Sequence, residues 1–193
     1  GYSLEVGFAY DKIPKAVFEE SIFLGRGLWD YSALLPVREE KNIVSMQEGN
    51  TPLLDSMLLG RRLGIELFFK DETRNPTCSF KDRPNTVGIS VAKELGADAV
   101  CIASTGNGAA SLAAYAARAG MKCYVFVPEA TPGGKVLQAI AHGAQLVLVP
   151  GDYSKAFAAC YEASGREGWA NLTSTYINPY TMEGDKSIGY ELY

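Results

Sequence analysis

The sequence predicts an α/β fold: a parallel sheet with helices on both faces, in three layers. Two observations carry that prediction. From Lys81 onward, short apolar runs of β character alternate with single stretches of helical spacing, and three of those stretches stop at a glycine (Gly96, Gly120, Gly143). Strands that alternate with single helices imply right-handed β-α-β crossovers, and near-continuous apolar strands imply burial on both faces.

Taken in order, the first ~60 residues alternate short helical and turn-like stretches with no repeat or low-complexity tract. Glu48-Gly49-Asn50-Thr51-Pro52-Leu53 is a loop signal, Ile65 to Lys70 reads as a strand, and Asp71 to Ser79 as a loop. Lys81 to Leu95 has helical spacing, with Pro84 tolerable in the first turn. Strands follow at Ala99–Ala103, Lys122–Val127, Gln145–Val149 and Trp169–Leu172, separated by helices at Gly108–Ala119, Lys135–His142 and Tyr153–Ser164. Met182 to Tyr193 begins a helical pattern and stops within it, so the chain reads as cut.

Composition removes several function classes. A net charge of −4 lacks the basic excess of a nucleic-acid or anionic-membrane binder. No apolar run reaches the ~18 residues of a membrane span, and the start has no signal-peptide pattern, so a cytoplasmic protein is expected. The four cysteines form no C-x-x-C pair and read as free thiols, with Cys101 and Cys123 in the core. The single histidine, His142, reads as the end of a helix before Gly143. With one histidine, no His-rich metal site and few catalytic triads can be built, which leaves lysine, carboxylates or a cofactor to carry any chemistry.

Two loops stand out. In Asn75-Pro76-Thr77-Cys78-Ser79-Phe80-Lys81-Asp82-Arg83, Lys81 falls where a loop becomes a helix. The free N–H groups and positive dipole end there disfavour a second positive charge, and so favour the neutral amine that Schiff-base chemistry needs. On spacing alone the plainer role stays ahead: an exposed first-turn lysine, with Asp82 and Arg83 as surface charges. The second loop, Ser104-Thr105-Gly106-Asn107-Gly108, leaves the carboxyl end of an apolar strand and opens a helix. Converging N–H groups, two hydroxyls and an amide make a place for a carboxylate or phosphate. A plain helix cap explains it equally well. A third reading is nucleotide binding, because Gly106-x-Gly108-x-x-Ser111 approximates the dinucleotide fingerprint and Glu129 follows the next strand. It leaves the Lys81 loop unexplained.

Together the motifs resemble threonine synthase and its fold-type-II relatives that use pyridoxal 5'-phosphate (PLP), the tryptophan synthase beta-like family. The resemblance runs from Glu48 to the last residue. It rests on Glu48 to Leu53, the Lys81 loop, the Ser104 loop, Gly134-Lys135, Gly143-Ala144, Asn178-Pro179 and Glu183-Gly184, all in the family's order. It implies PLP as cofactor and an amino acid as small-molecule substrate. Lys81 would be the catalytic residue, bonded to the cofactor and later moving protons at the substrate α and β carbons. Phe80 would pack beside PLP, and Asn107 would hydrogen-bond its ring hydroxyl. Ser104, Thr105, Gly106, Asn107 and Gly108 would hold the substrate carboxylate. The implied reaction is a β/γ elimination–replacement, O-phosphohomoserine to threonine, with a serine/threonine dehydratase as the nearest alternative. The family usually dimerises.

The resemblance also implies a division of the chain. Residues 1–96 would begin the large PLP domain, 97–172 would form a small α/β domain, and 173–193 would start the return. Three departures from the family pattern stand in the sequence. Cys78 takes the place of a glycine; no arginine follows Asn178-Pro179 to bind a substrate phosphate; and the family's phosphate-cradling loop lies beyond the position of Tyr193. The last raises an alternative of another class, a non-catalytic lobe or one half of a split enzyme.

Overall fold

The computed structural model describes residues 4–13, 24–173 and 177–192. Its centre is a four-stranded parallel sheet in the order β5-β4-β3-β6, made of β3 (Ala99–Ala103), β4 (Lys122–Pro128), β5 (Gln145–Val149) and β6 (Ala170–Asn171). The helices between are α3 (Asn107–Ala119), α4 (Gly133–Ala141) and α5 (Tyr153–Glu167). Before the sheet lie β1 (Leu53–Asp55), α1 (Met57–Leu63), β2 (Phe68–Lys70) and α2 (Asp82–Glu94); after it comes α6 (Pro179–Tyr190).

Alternation along the strands makes the three layers. Val100 and Ile102 of β3, with Val125 and Val127 of β4, pack on Ile89, Leu112, Tyr115, Val136 and Ala139 from α2, α3 and α4. The intervening residues Cys101, Ala103 and Phe126 pack on Ala156 and Cys160 of α5. Tyr124 stacks on Trp169 on the same face, with ring centroids 4.0 Å apart. The predicted fold class is therefore observed, with β3 and β5 at the expected limits and the helices displaced by one to three residues.

The chain order matters for function. From β3 the chain steps outward through β4 to β5, then crosses by α5 to the other side of β3, where β6 pairs in parallel. The order thus reverses at β3. In open α/β sheets the crevice outside the strand carboxyl ends at such a reversal is where ligands bind.

The strand expected over Ile65 to Lys70 is confined to Phe68–Lys70, and it pairs antiparallel with a strand at Leu53–Asp55 that was not anticipated. Gly27–Leu34 is 3-10 helix, fixed by Trp29, whose indole N–H reaches Glu48 Oε1 at 2.8 Å and Thr86 Oγ1 at 3.1 Å. Glu48 is fully buried and also accepts from Tyr115 Oη and the Met46 N–H, which ties this segment to α3. Gly49 has φ +86°, and a Cβ there would lie 2.5 Å from Leu28 N, so glycine is required in this loop.

All four cysteines are free; Cys101, Cys123 and Cys160 are buried and Cys78 is exposed. Burial pushes the Cys123 thiol up to about 12, in keeping with an inert core residue. His142 ends α4 before Gly143, as expected. Among the described residues no helix is long and apolar enough to cross a membrane, and no cluster of His, Cys, Asp and Glu could hold a metal.

Candidate active site

The two loops singled out in the sequence meet at the carboxyl end of β3. Lys81 occupies the cap position immediately before α2, with its N–H on Ser79 Oγ at 3.2 Å. Gly106 occupies the same position before α3. The Asn85 side-chain amide donates to Gly108 O at 3.3 Å, and Ser111 Oγ donates to Asp82 Oδ1 at 2.6 Å. These bonds lock the first turns of α2 and α3 together, so two helix N-termini and their free N–H groups open on one place.

Asp82 shapes the Lys81 turn. Its carboxylate is buried at the first position of α2 and accepts from the Thr77 N–H at 2.7 Å and from the Thr77 hydroxyl. Burial pushes the Asp82 carboxyl up, against the bonds from Ser111 and Thr77. Before it, the Cys78 N–H closes a turn on Asn75 O at 2.8 Å, and Cys78 itself has φ +58°. That left-handed conformation strains any residue with a Cβ and suits glycine. Cys78→Gly is therefore expected to raise stability by roughly 0.5–1 kcal/mol, read as a higher midpoint in thermal unfolding.

Arg83, next in the loop, is not the surface charge that its neighbours in sequence suggested. It is fully buried. Its Nε and Nη2 grip Glu72 at 2.7 and 2.8 Å, its Nη1 and Nη2 grip Glu191 at 2.6 and 2.9 Å, and Ser187 and Thr51 accept at 3.0 and 3.2 Å. Lys70 adds a contact to Glu191 at 2.6 Å. The knot joins β1 and β2, α2 and α6, and so fixes where α2 begins.

Lys81 is half-buried, and its Nζ lies 4.4 Å from the centroid of the Phe80 ring. No carboxylate lies within ion-pair distance of it among the described residues. Across from it, α6 comes down on the first turn of α2. A Cβ at Gly184 would lie 2.3 Å from Arg83 O and 2.7 Å from Pro84 Cα, so only glycine allows this approach. The next residue, Asp185, holds an enclosed Oδ1 with no hydrogen-bond partner among the described residues. Sequence reasoning passed over Asp185 because one acid in a polar helix carries no signal.

At the other loop, Thr105, Gly106, Asn107 and Ala110 line a cavity of about 280 Å³, with Gly134, Lys135 and Gln138 of α4 as its far wall. Ser104 is half-buried, and its Oγ would lie 3.0 Å from a Cβ at Gly108, so a larger residue there would have to push the hydroxyl aside. Lys135 and Gln138 were not among the expected site residues, since α4 enters the site only through the fold.

The donor set fits PLP: an amine without a counter-ion, an aromatic ring beside it, and a glycine-lined loop of free N–H groups. Residues 44–193 match the family model for pyridoxal-phosphate dependent enzymes. The chain belongs to that family.

Threonine synthase of Methanocaldococcus jannaschii is 44% identical over 195 aligned residues, covering the whole of this chain and 48% of that protein. Threonine synthase of Bacillus sp. strain ULM1 is 42% identical over 86% of this chain and 47% of its own. Among solved structures, a T.th. threonine deaminase superposes with a TM-score of 0.62 at 30% identity, covering 74% of this chain and 44% of that one. A pyridoxal 5'-phosphate-dependent aspartate racemase superposes with a TM-score of 0.66 at 28% identity over 74% of this chain and 45% of that one. This chain thus spans about half the length of the curated relatives it matches. It has the three-layer fold of fold-type-II enzymes, and its cofactor is PLP.

Proposed function

We propose that Lys81 carries the cofactor and that the whole protein catalyses a threonine-synthase-type elimination–replacement on O-phosphohomoserine. The observation that carries this reading is the convergence of the α2 and α3 N-termini where the strand order reverses, with Lys81 on one and the Ser104–Gly108 loop on the other.

PLP, when bound, supplies an electron sink for charge that develops on the substrate carbons. The chain's own residues divide the remaining work. Lys81 moves protons at the substrate α and β carbons, as a positioned amine whose neutral form is the base. Asn107 orients the cofactor through its ring hydroxyl, and Phe80 packs beside it. Ser104, Thr105 and the N–H groups of Gly106, Asn107 and Gly108 hold the substrate carboxylate. Lys135, which lines the far wall of the cavity, would receive an anionic leaving group. A cation there supplies what the missing arginine after Asn178-Pro179 would have given.

The identity to threonine synthases along the full chain supports this substrate. A serine/threonine dehydratase is the second reading, favoured by the likeness to threonine deaminase. We extend the proposal to a homodimer, and to a large PLP domain begun by residues 1–96, a small domain of 97–172 and a return at 173–193.

The test is turnover by the full-length protein with added PLP. The expected result is that O-phosphohomoserine yields threonine and inorganic phosphate in equal amounts. Conversion of threonine to 2-oxobutanoate with no phosphate released from O-phosphohomoserine would replace the first reading by the second.

A further inference from the structure

Lys81 stands immediately before α2, and Asp185 lies on α6 next to Gly184, where that helix packs on the first turn of α2; the two have complementary deficits. Lys81 is a cation with no carboxylate in ion-pair range among the described residues; its Nζ rests against the Phe80 ring instead. Asp185 is a carboxylate with an enclosed oxygen that no described donor reaches. A buried carboxylate left unpaired is costly, and so is an ammonium removed from water without a counter-ion.

The other charges nearby are already committed. Arg83 spends its donors on Glu72, Glu191, Ser187 and Thr51. Asp82 is turned toward Thr77 and Ser111. On the same helix as Asp185, Glu183 holds Lys186 at 2.7 Å, and Glu191 is held by Arg83 and Lys70. Among the described residues that leaves Lys81 as the cation still free to meet Asp185; burial pushes the Asp185 carboxyl up, and the charges of Lys81 and Arg83 act against that. The close approach at Gly184 puts α6 against the α2 first turn, within one residue of the acid in question.

We infer that Asp185 is a positioning residue that holds the Lys81 ammonium whenever Lys81 is not bonded to the cofactor. The inference rests on the assignment of Lys81 as the cofactor lysine. A lysine that takes a proton from substrate becomes an ammonium, and the unpaired Asp185 carboxylate on the helix packed against α2 is the counter-ion for it. Held there, it stays near the carbons to which the proton returns. Asp185 touches neither cofactor nor substrate in this role; it acts through Lys81.

The experiment needs no bound cofactor. Lysines of the full-length protein without PLP are labelled competitively with acetic anhydride across a pH series, and each site is read by peptide mass spectrometry. In Asp185→Asn, the pH of half-maximal Lys81 labelling is expected to fall by about one unit, the size of effect an adjacent opposite charge exerts. Asp185→Ser gives the same result by a different geometry. Lys186, on the same helix, keeps its wild-type profile in both variants, which separates loss of a counter-ion from loss of α6. An unchanged Lys81 profile in both variants overturns the inference, as does a parallel shift of Lys81 and Lys186. Trapping of PLP at Lys81 is a separate measurement, so failure of the cofactor assignment would be seen there and not here.

Discussion

Lys81→Ala is expected to abolish covalent attachment of PLP and to lower turnover by several orders of magnitude. On the proposed role, removing the amine removes both the tether and the base for the substrate carbons, and groups that act as one unit are lost together. The fold should be little affected, because the Lys81 side chain makes no hydrogen bond or ion pair with the described residues. The variant should therefore unfold close to the wild-type midpoint while lacking the visible band of the bound cofactor. Retention of that band would place the cofactor on another lysine.

The largest loss of stability is expected at Arg83. Arg83→Ala leaves Glu72 and Glu191 without the guanidinium that both grip in bidentate fashion, and a buried ion pair deprived of one partner costs about 3–5 kcal/mol. Denaturant unfolding measures this directly. The pH dependence gives a second reading. Burial alone would raise the Glu191 carboxyl, but the bonds from Arg83, from Lys70 and from the Asn50 N–H hold it below the usual carboxylate range; Glu72 is lowered in the same way by Arg83, Thr51 and Asn75. A carboxyl depressed in the folded state contributes stability above its unfolded value of about 4.3, and that stability is lost as the pH falls through the folded value. The wild type should therefore weaken below about pH 4.3. In Arg83→Ala, Glu72 loses its cation and Glu191 keeps only Lys70, so both carboxyls should rise and acid should restore part of the lost stability. A variant as stable as wild type at neutral pH would refute the role of the knot.

How much of this was legible in the sequence depends on the range of each interaction. β3 and β5 came out at their observed limits because five consecutive residues, Ala99–Ala103 and Gln145–Val149, state their own environment. β1 is only Leu53–Asp55, too short for a period, and exists because β2 pairs with it. Trp29 gave no hint of its place because its partners Glu48 and Thr86 lie 19 and 57 residues away. Arg83 illustrates the same limit at the site. Beside Asp82 it reads as surface charge, and its burial is explained by Glu72, 11 residues earlier, together with Glu191, 108 residues later.

The candidate site divides along the same line. The Lys81 loop and the Ser104–Gly108 loop were visible because each is a contiguous motif at a helix start. Their meeting was not, since it depends on the Asn85–Gly108 and Asp82–Ser111 bonds and on the strand order that brings α3 beside α2. Lys135 and Asp185 reach the site only through tertiary packing of α4 and α6. Cys78 was seen as a departure from the family pattern, and its φ of +58° supplies the physical reason that glycine suits the position.

The most direct test of the central claim is to reduce the full-length protein with borohydride in the presence of PLP and locate the fixed adduct by peptide mass spectrometry. The expected result is a single pyridoxyl adduct on Lys81, absent from Lys81→Ala. An adduct on another lysine, or none after reduction, would contradict the assignment of Lys81 and of the site built around it.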